Sequence, residues 1–165
     1  MLSFVRAIVL GTALATSVQA QVNKTIDLVG PRGQHRTISS ADLTALSRHE
    51  VTAKAHQISG TFAGVALADV LQLVAVPHGD SLRGPALATY VLIEAADGYR
   101  ALFALAELDA GFSDRLVLLA DRKDGAALTA NDGPFQLIVP DEKRPARWVR
   151  RVQRIRVVQL PVGTP

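Results

Sequence analysis

Seven cations fall within fourteen residues near the C-terminus: Lys143, Arg144, Arg147, Arg150, Arg151, Arg154 and Arg156, with the chain's one tryptophan, Trp148, among them. Guanidinium groups around a large aromatic side chain suit an anionic or electron-rich planar partner, through charge, forked hydrogen bonds and stacking. The same residues also suit a solvated basic face laid over one core tryptophan. What is absent narrows the chemistry further. The chain has no cysteine, so it has neither disulfides nor a thiolate to bind a soft metal or attack a substrate. His35, His49 and His78 have no carboxylate or second histidine at ligand spacing, which argues against a zinc site. Neither a Gly-x-Ser-x-Gly elbow, a P-loop nor a Gly-x-Gly-x-x-Gly turn occurs.

The elements that must position these residues can be read from hydrophobic period and turn chemistry. The chain has 165 residues and 48% hydrophobic content, enough for one domain with a substantial core. Residues 1–20 read as a cleaved secretory signal: Arg6, an apolar stretch from Ala7 to Val18, then the small-x-small pattern Val18-Gln19-Ala20. No cysteine follows to carry a lipid anchor, so residues 21–165 are expected to be a single exported, periplasmic domain. Loss of Arg6 leaves 17 Lys and Arg against 15 Asp and Glu, a mild excess of about +2. The signal is therefore the segregation of cations toward one end. An exported chain with thin aromatic interleaving is not expected to bind nucleic acid. No amphipathic helix suited to a membrane surface is found.

A first strand is expected over 24–29, then a turn at Gly30-Pro31-Arg32-Gly33 and a return strand at 36–38. Ser39 and Ser40 should cap a short helix reaching about Ser47. Val51 to His56 alternates as a strand, and 61–67 leads into a helix over 68–74. On that helix Leu67, Val70, Leu71 and Val74 share one face. Strands are expected at 90–95 and 99–103 around an Asp97-Gly98 hairpin turn, with a helical turn at 105–108. Further strands are expected at 116–120, 135–139 and 152–160. Many short strands with few short helices predict an α+β domain with largely antiparallel or mixed sheets.

Five segments occur in an order that resembles the molybdopterin-binding domain of the sulfite-oxidase family: F-A-G-V-A-L-A-D-V-L (62–71), A-A-D-G-Y-R (95–100), V-L-L-A-D-R-K-D-G-A-A-L (117–128), G-P-F-Q-L-I-V-P (133–140) and A-R-W-V-R-R-V (146–152). The resemblance covers roughly residues 25–158 and implies that family's fold, with loops that cradle a pterin cofactor. It also implies a molybdenum-anchoring cysteine before the F-x-G-V-x-L motif, where this chain reads Val51-Thr52-Ala53-Lys54-Ala55-His56-Gln57. Gln136 stands where the family carries a cofactor-binding arginine, and on this reading no room is expected for the enzymes' C-terminal dimerisation domain. The resemblance is to stand-alone periplasmic pterin-binding proteins, which keep the pocket without molybdenum and in some cases signal to a membrane-bound partner.

What this implies is a non-catalytic binder of a reduced or molybdopterin-like pterin, molybdenum not being expected. A molybdopterin-dependent oxidoreductase, or a subunit of one, is the alternative. A third possibility is an interaction module that docks an acidic partner through the arginine-rich edge. A pterin pocket needs a stacking face, an acceptor for the N–H edge and a donor for the carbonyl. Candidates are Trp148 and Tyr99 for the faces, Asp97 and Gln136 for the polar edge, and Arg147 for a carbonyl or phosphate. His56 beside the lost metal position and Arg83 in a covering loop complete the set. Pleat alternation places at most one of Tyr99 and Arg100 toward the pocket.

Overall fold

The structure, a computed structural model, describes residues 25–161. The expected signal segment and the start of the mature chain lie outside these residues. Ten strands and two short α-helices build two five-stranded sheets that face one another. The first sheet contains β1 (Thr25–Val29), β2 (His35–Ser39), β5 (Thr89–Ala95), β6 (Arg100–Ala104) and β10 (Val152–Gln159), in the order β2-β1-β10-β5-β6. The second contains β3 (Arg48–Ala55), β4 (Ile58–Ala66), β7 (Leu118–Lys123) and β8 (Ala126–Ala127), with β9 (Gln136–Ile138) paired to β7. Helices α1 (Ser40–Thr44) and α2 (Leu67–Gln72) link strands to strands. Among the described residues only β1 and β10 pair in parallel and the other pairs are antiparallel, so the α+β mixed-sheet expectation holds.

Alternation explains how the first sheet presents one face to the core. Ile26 and Leu28, Val91 and Ile93, Ala101 and Phe103, and Ile155 and Val157 all point inward and are buried. The intervening residues form the opposite face. Phe62, Leu67, Val70, Leu71, Leu118, Leu137 and Trp148 meet the inward set from the other side. Ser39 caps α1 reciprocally, its hydroxyl accepting from the Asp42 N–H while the Asp42 carboxylate accepts from the Ser39 N–H.

Element boundaries differ from the sequence reading where packing overrides local pattern. Helix α1 stops at Thr44, short of Ser47, because β3 starts at Arg48 and the chain must turn first. Residues 61–67, read from sequence only as a lead into a helix, belong apart from Leu67 to the nine-residue central strand β4, which starts at Ile58. Its pattern is obscured because both ends of the strand differ in exposure: Ile58 is exposed, whereas Gly64, Val65 and Ala66 are all buried between neighbours. Tyr99 belongs to the β5–β6 turn and not to a strand, so the pleat argument separating it from Arg100 does not apply.

Gly64 in β4 shows why the F-x-G-V motif carries glycine. A Cβ there would lie 2.1 Å from the Leu119 carbonyl oxygen and 2.6 Å from the Ala120 Cα, both backbone atoms of β7. The two strands meet at an irregularity between Ala63 and Gly64, where their register shifts. Gly64→Ala is expected to destabilise the protein by about 3 kcal/mol, since backbone in a central strand cannot move aside cheaply. Thermal or denaturant unfolding of the variant measures this.

Candidate functional site

One pocket of about 340 Å³ gathers several elements at the end of the two sheets. It is lined by Asp97 and Tyr99 from the β5–β6 turn, Gln136 from β9, and Pro145, Ala146, Trp148 and Arg150 from the following loop. Ile58 at the start of β4 and Ala95 at the end of β5 complete it. The size is in the lower part of the range for small-molecule sites.

Local hydrogen bonds hold each wall. The Gly98 N–H donates to the Ala95 carbonyl at 3.0 Å, and Gly98 takes φ 86°, a conformation that glycine adopts without strain. The Tyr99 N–H donates to Asp97 Oδ1 at 3.0 Å, and Arg151 donates to Asp97 Oδ2 at 2.8 Å. The Tyr99 N–H, with Arg151 second, holds the Asp97 carboxyl below the usual aspartate range. The Tyr99 hydroxyl donates to the Ala146 carbonyl at 2.5 Å and so ties the turn to the loop across the pocket mouth. Strand β9 is fixed to the loop by backbone bonds from Leu137 to Val149 and from Val152 to Phe135.

Trp148 is a core residue that also forms the pocket wall. It is 4% exposed, packs edge-to-face on Phe62 with ring centroids 5.6 Å apart, and donates its Nε1–H to the Val139 carbonyl at 2.9 Å. Tyr99 is 51% exposed and offers the more accessible aromatic surface.

Gln136 is the unusual group. It is 4% exposed and lines the pocket, and its amide is not among the enclosed polar atoms that lack a partner. An amide at a pocket wall can bond to water or to a ligand there.

Four expected residues, Trp148, Tyr99, Asp97 and Gln136, thus meet at one pocket. The other three stand elsewhere. Arg147 turns away: its Nε donates to Glu142 at 2.7 Å, its Nη1 reaches Glu107 at 3.1 Å, and its guanidinium sits 4.3 Å from the Phe103 ring centre. Burial opposes its charge, but the two carboxylates outweigh burial and hold its pKa above the ordinary arginine value. The expected donor to a ligand is therefore committed to the protein itself. His56 is exposed in the tight β3–β4 turn at φ 54°, two residues from Ile58 but not lining the pocket. Arg83 caps a 3-10 turn (Gly84–Ala88) and lines a separate depression with Asp80, Leu82 and Phe112. Sequence reasoning did not single out Ile58, Ala146 or Arg150. Arg150 had a signal, its place in the cation cluster; the backbone carbonyl of Ala146 had none.

The cation cluster is largely neutralised within the chain. Besides Arg147, Arg151 pairs with Asp97, Arg154 with Asp27 and Arg156 with Glu94, each within 3.0 Å. Arg150 lies 3.8 Å from Asp132. The expectation of a broad free cationic face for an acidic partner is corrected accordingly: only Lys143 and Arg144 of the seven have no carboxylate within ion-pair reach among the described residues.

Residues 14–164 match the family described as the oxidoreductase molybdopterin binding domain. The chain belongs to this family. The sulfane dehydrogenase SoxCD from Paracoccus pantotrophus shares the fold of this molybdopterin-binding domain, with a TM-score of 0.67 and 17% identity over 88% of the chain. The domain spans 41% of that SoxCD chain. No curated protein matches the sequence.

Proposed function

We propose that this molybdopterin-binding-type domain is an exported, non-catalytic pterin-binding protein. Its occupied pocket would report to a membrane-bound partner. The observation that carries the reading is the convergence of Asp97, Tyr99, Gln136 and Trp148 on one pocket of about 340 Å³. An aminopyrimidinone edge offers both a carbonyl acceptor and N–H donors, which complete a side-chain amide in either orientation. Asp97, held ionised, accepts from such an N–H edge, and Tyr99 supplies an aromatic flank.

The residues fit the organic part of the cofactor better than its metal. The segment 51–57, where the family resemblance places a thiolate, buries Ala53 and Ala55 instead. Among the described residues no group of three or more His, Cys, Asp or Glu is placed to hold a metal ion. Neither alanine nor an exposed turn histidine replaces a soft sulfur ligand. A second reading, a molybdopterin-dependent oxidoreductase or a subunit of one, is favoured by the family description and by the dehydrogenase that shares the fold.

Mass spectrometry and fluorescence of ligand released from the purified protein, with metal analysis of the same sample, separate these readings. The expected result is a pterin without stoichiometric molybdenum. Bound molybdenum supports the oxidoreductase instead, and an empty protein that also refuses added reduced pterins overturns both.

Asp97 gives a test by pH. Because its pKa is lowered, the carboxylate stays charged as pH falls through the ordinary aspartate range near about 3.9. Pterin affinity is expected to hold through that range and to fall only below it, where Asp97 protonates. Asp97→Asn is expected to weaken binding about tenfold at neutral pH, the scale of one hydrogen bond to a charged group. Fluorescence titration across pH measures both.

A further inference from the structure

The outward face of the first sheet has no place in the pterin reading and shares no residue with the pocket. Its side chains fall into rows that follow from strand register. One row runs Arg100 (β6), Glu94 (β5), Arg154 (β10), Asp27 (β1). The next runs Leu102, Leu92, Arg156, Val29, and the third Ala104, Tyr90, Val158. Leu102 is 52% exposed, and Tyr90, Leu92, Val29 and Val158 are half-buried. An apolar strip of this kind beside an ordered ladder of charge is the makeup of an interface.

The ladder alternates strictly in sign across the four strands. Arg100 and Arg156 both contact Glu94 through Nε, at 3.0 and 2.9 Å, and Arg154 contacts Asp27 through Nε at 2.7 Å. His35 of β2 is the second partner of Asp27. Among the described residues the hydrogen bonds of this face use no terminal guanidinium nitrogen of these three arginines. Each arginine thus keeps donors for a second carboxylate.

We propose that a second copy of this chain packs face to face on this sheet, about a two-fold axis parallel to the strands and running between β5 and β10. That axis preserves the rows and exchanges β5 with β10 and β6 with β1 of the partner. Arg100 then meets the partner's Asp27 and Glu94 the partner's Arg154, each contact occurring twice. Glu94 Oε2 and Asp27 Oδ1 are enclosed within the chain, so the partner's arginines reach Glu94 Oε1 and Asp27 Oδ2. Leu102 faces the partner's Val29, and Tyr90 faces the partner's Val158. Leu92 lies under the aliphatic stem of the partner's Arg156. An axis along β10 itself would instead set Glu94 against Asp27, so the charge pattern selects between the two. Aligned sheets cross at roughly 30°, and the outermost charge pair lies about 7 Å from the axis. The resulting offset of a few ångströms is within the reach of an arginine side chain.

The face is about 20 Å by 15 Å, four or five strands wide at the usual spacing. That is about 300 Å² a side, roughly 600 Å² in all, below the size of stable interfaces and in the class of weak, transient contacts. The dimer is therefore expected to dissociate at about 100 μM. Sedimentation velocity on the purified chain, from about 1 to 200 μM, reads this directly. Leu102→Lys, at an exposed position, is expected to weaken association at least about tenfold. Arg100→Glu and Asp27→Lys should each be monomeric, because each sets like charges opposite one another at two places. An equimolar mixture of the two should dimerise again, because both contacts become attractive in the heterodimer. Circular dichroism verifies that each variant is folded, and Leu102→Lys carries the test if Asp27→Lys is not. A wild-type chain that stays monomeric at the highest concentration overturns the proposal. So does a dimer indifferent to Leu102→Lys and Arg100→Glu.

Discussion

Trp148→Ala is expected to lower the stability of the protein by about 3 to 5 kcal/mol, the range for emptying a buried tryptophan site. The indole is almost fully enclosed, and Phe62 packs on it edge-to-face. Its Nε1–H is the partner of the Val139 carbonyl in the stretch that follows β9. Removing the ring leaves a cavity between the second sheet and the pocket loop and leaves that carbonyl with the Glu142 N–H as its one remaining donor among the described residues. Because the ring also forms a pocket wall, pterin binding falls with the fold. Loss of binding in this variant therefore does not identify a stacking residue. Trp148→Phe distinguishes the roles: it restores most of the volume without the N–H. It should recover most of the stability, by urea denaturation, while a ligand that depends on the pocket wall alone keeps its affinity. If Trp148→Ala unfolds at the wild-type denaturant concentration, the core role assigned here is wrong.

Much of the fold was legible because its signals are local. The Asp97-Gly98 turn, the Ser39 cap and the apolar spacing of Leu67, Val70 and Leu71 each depend on a few adjacent residues, and each is found in place. Strand β4 was not legible, because its pattern is set by neighbours on both sides: β3, joined to it by a tight turn, and β7, more than fifty residues away in sequence. The site follows the same division. Asp97, Tyr99, Gln136 and Trp148 come together because the motifs that contain them close one end of the sheets. Arg147 carries the same kind of charge as its neighbours in sequence, yet Glu107 and Glu142 engage it on the far side of the loop. Position 107 lies forty residues from position 147, and no local pattern reports that pairing. The cation cluster misleads for the same reason: a run of arginines is visible in sequence, whereas Asp27 and Glu94, which neutralise Arg154 and Arg156, are brought beside them only by strand register.

Gln136→Leu is expected to separate binding from stability. Gln136 is 4% exposed and lines the pocket, and its amide is not among the enclosed polar atoms that lack a partner. Replacing it with an apolar group of similar size removes an amide that faces the pocket and not one that braces the fold. The variant should therefore stay within about 1 kcal/mol of wild-type stability. Its affinity for a reduced pterin should fall by at least about tenfold, since the ligand's polar edge would then face a methyl group inside a buried site. Gln136→Glu gives the complementary result: a carboxylate in this position keeps an acceptor but loses both N–H donors, and it adds a second negative charge to the pocket that holds Asp97. Destabilisation of this variant with weaker pterin binding would show that the amide's donors are what the ligand uses. Unfolding curves and pterin titrations on both variants decide the matter. If Gln136→Leu loses stability and keeps its affinity, the amide serves the fold, and the pocket is not the pterin site.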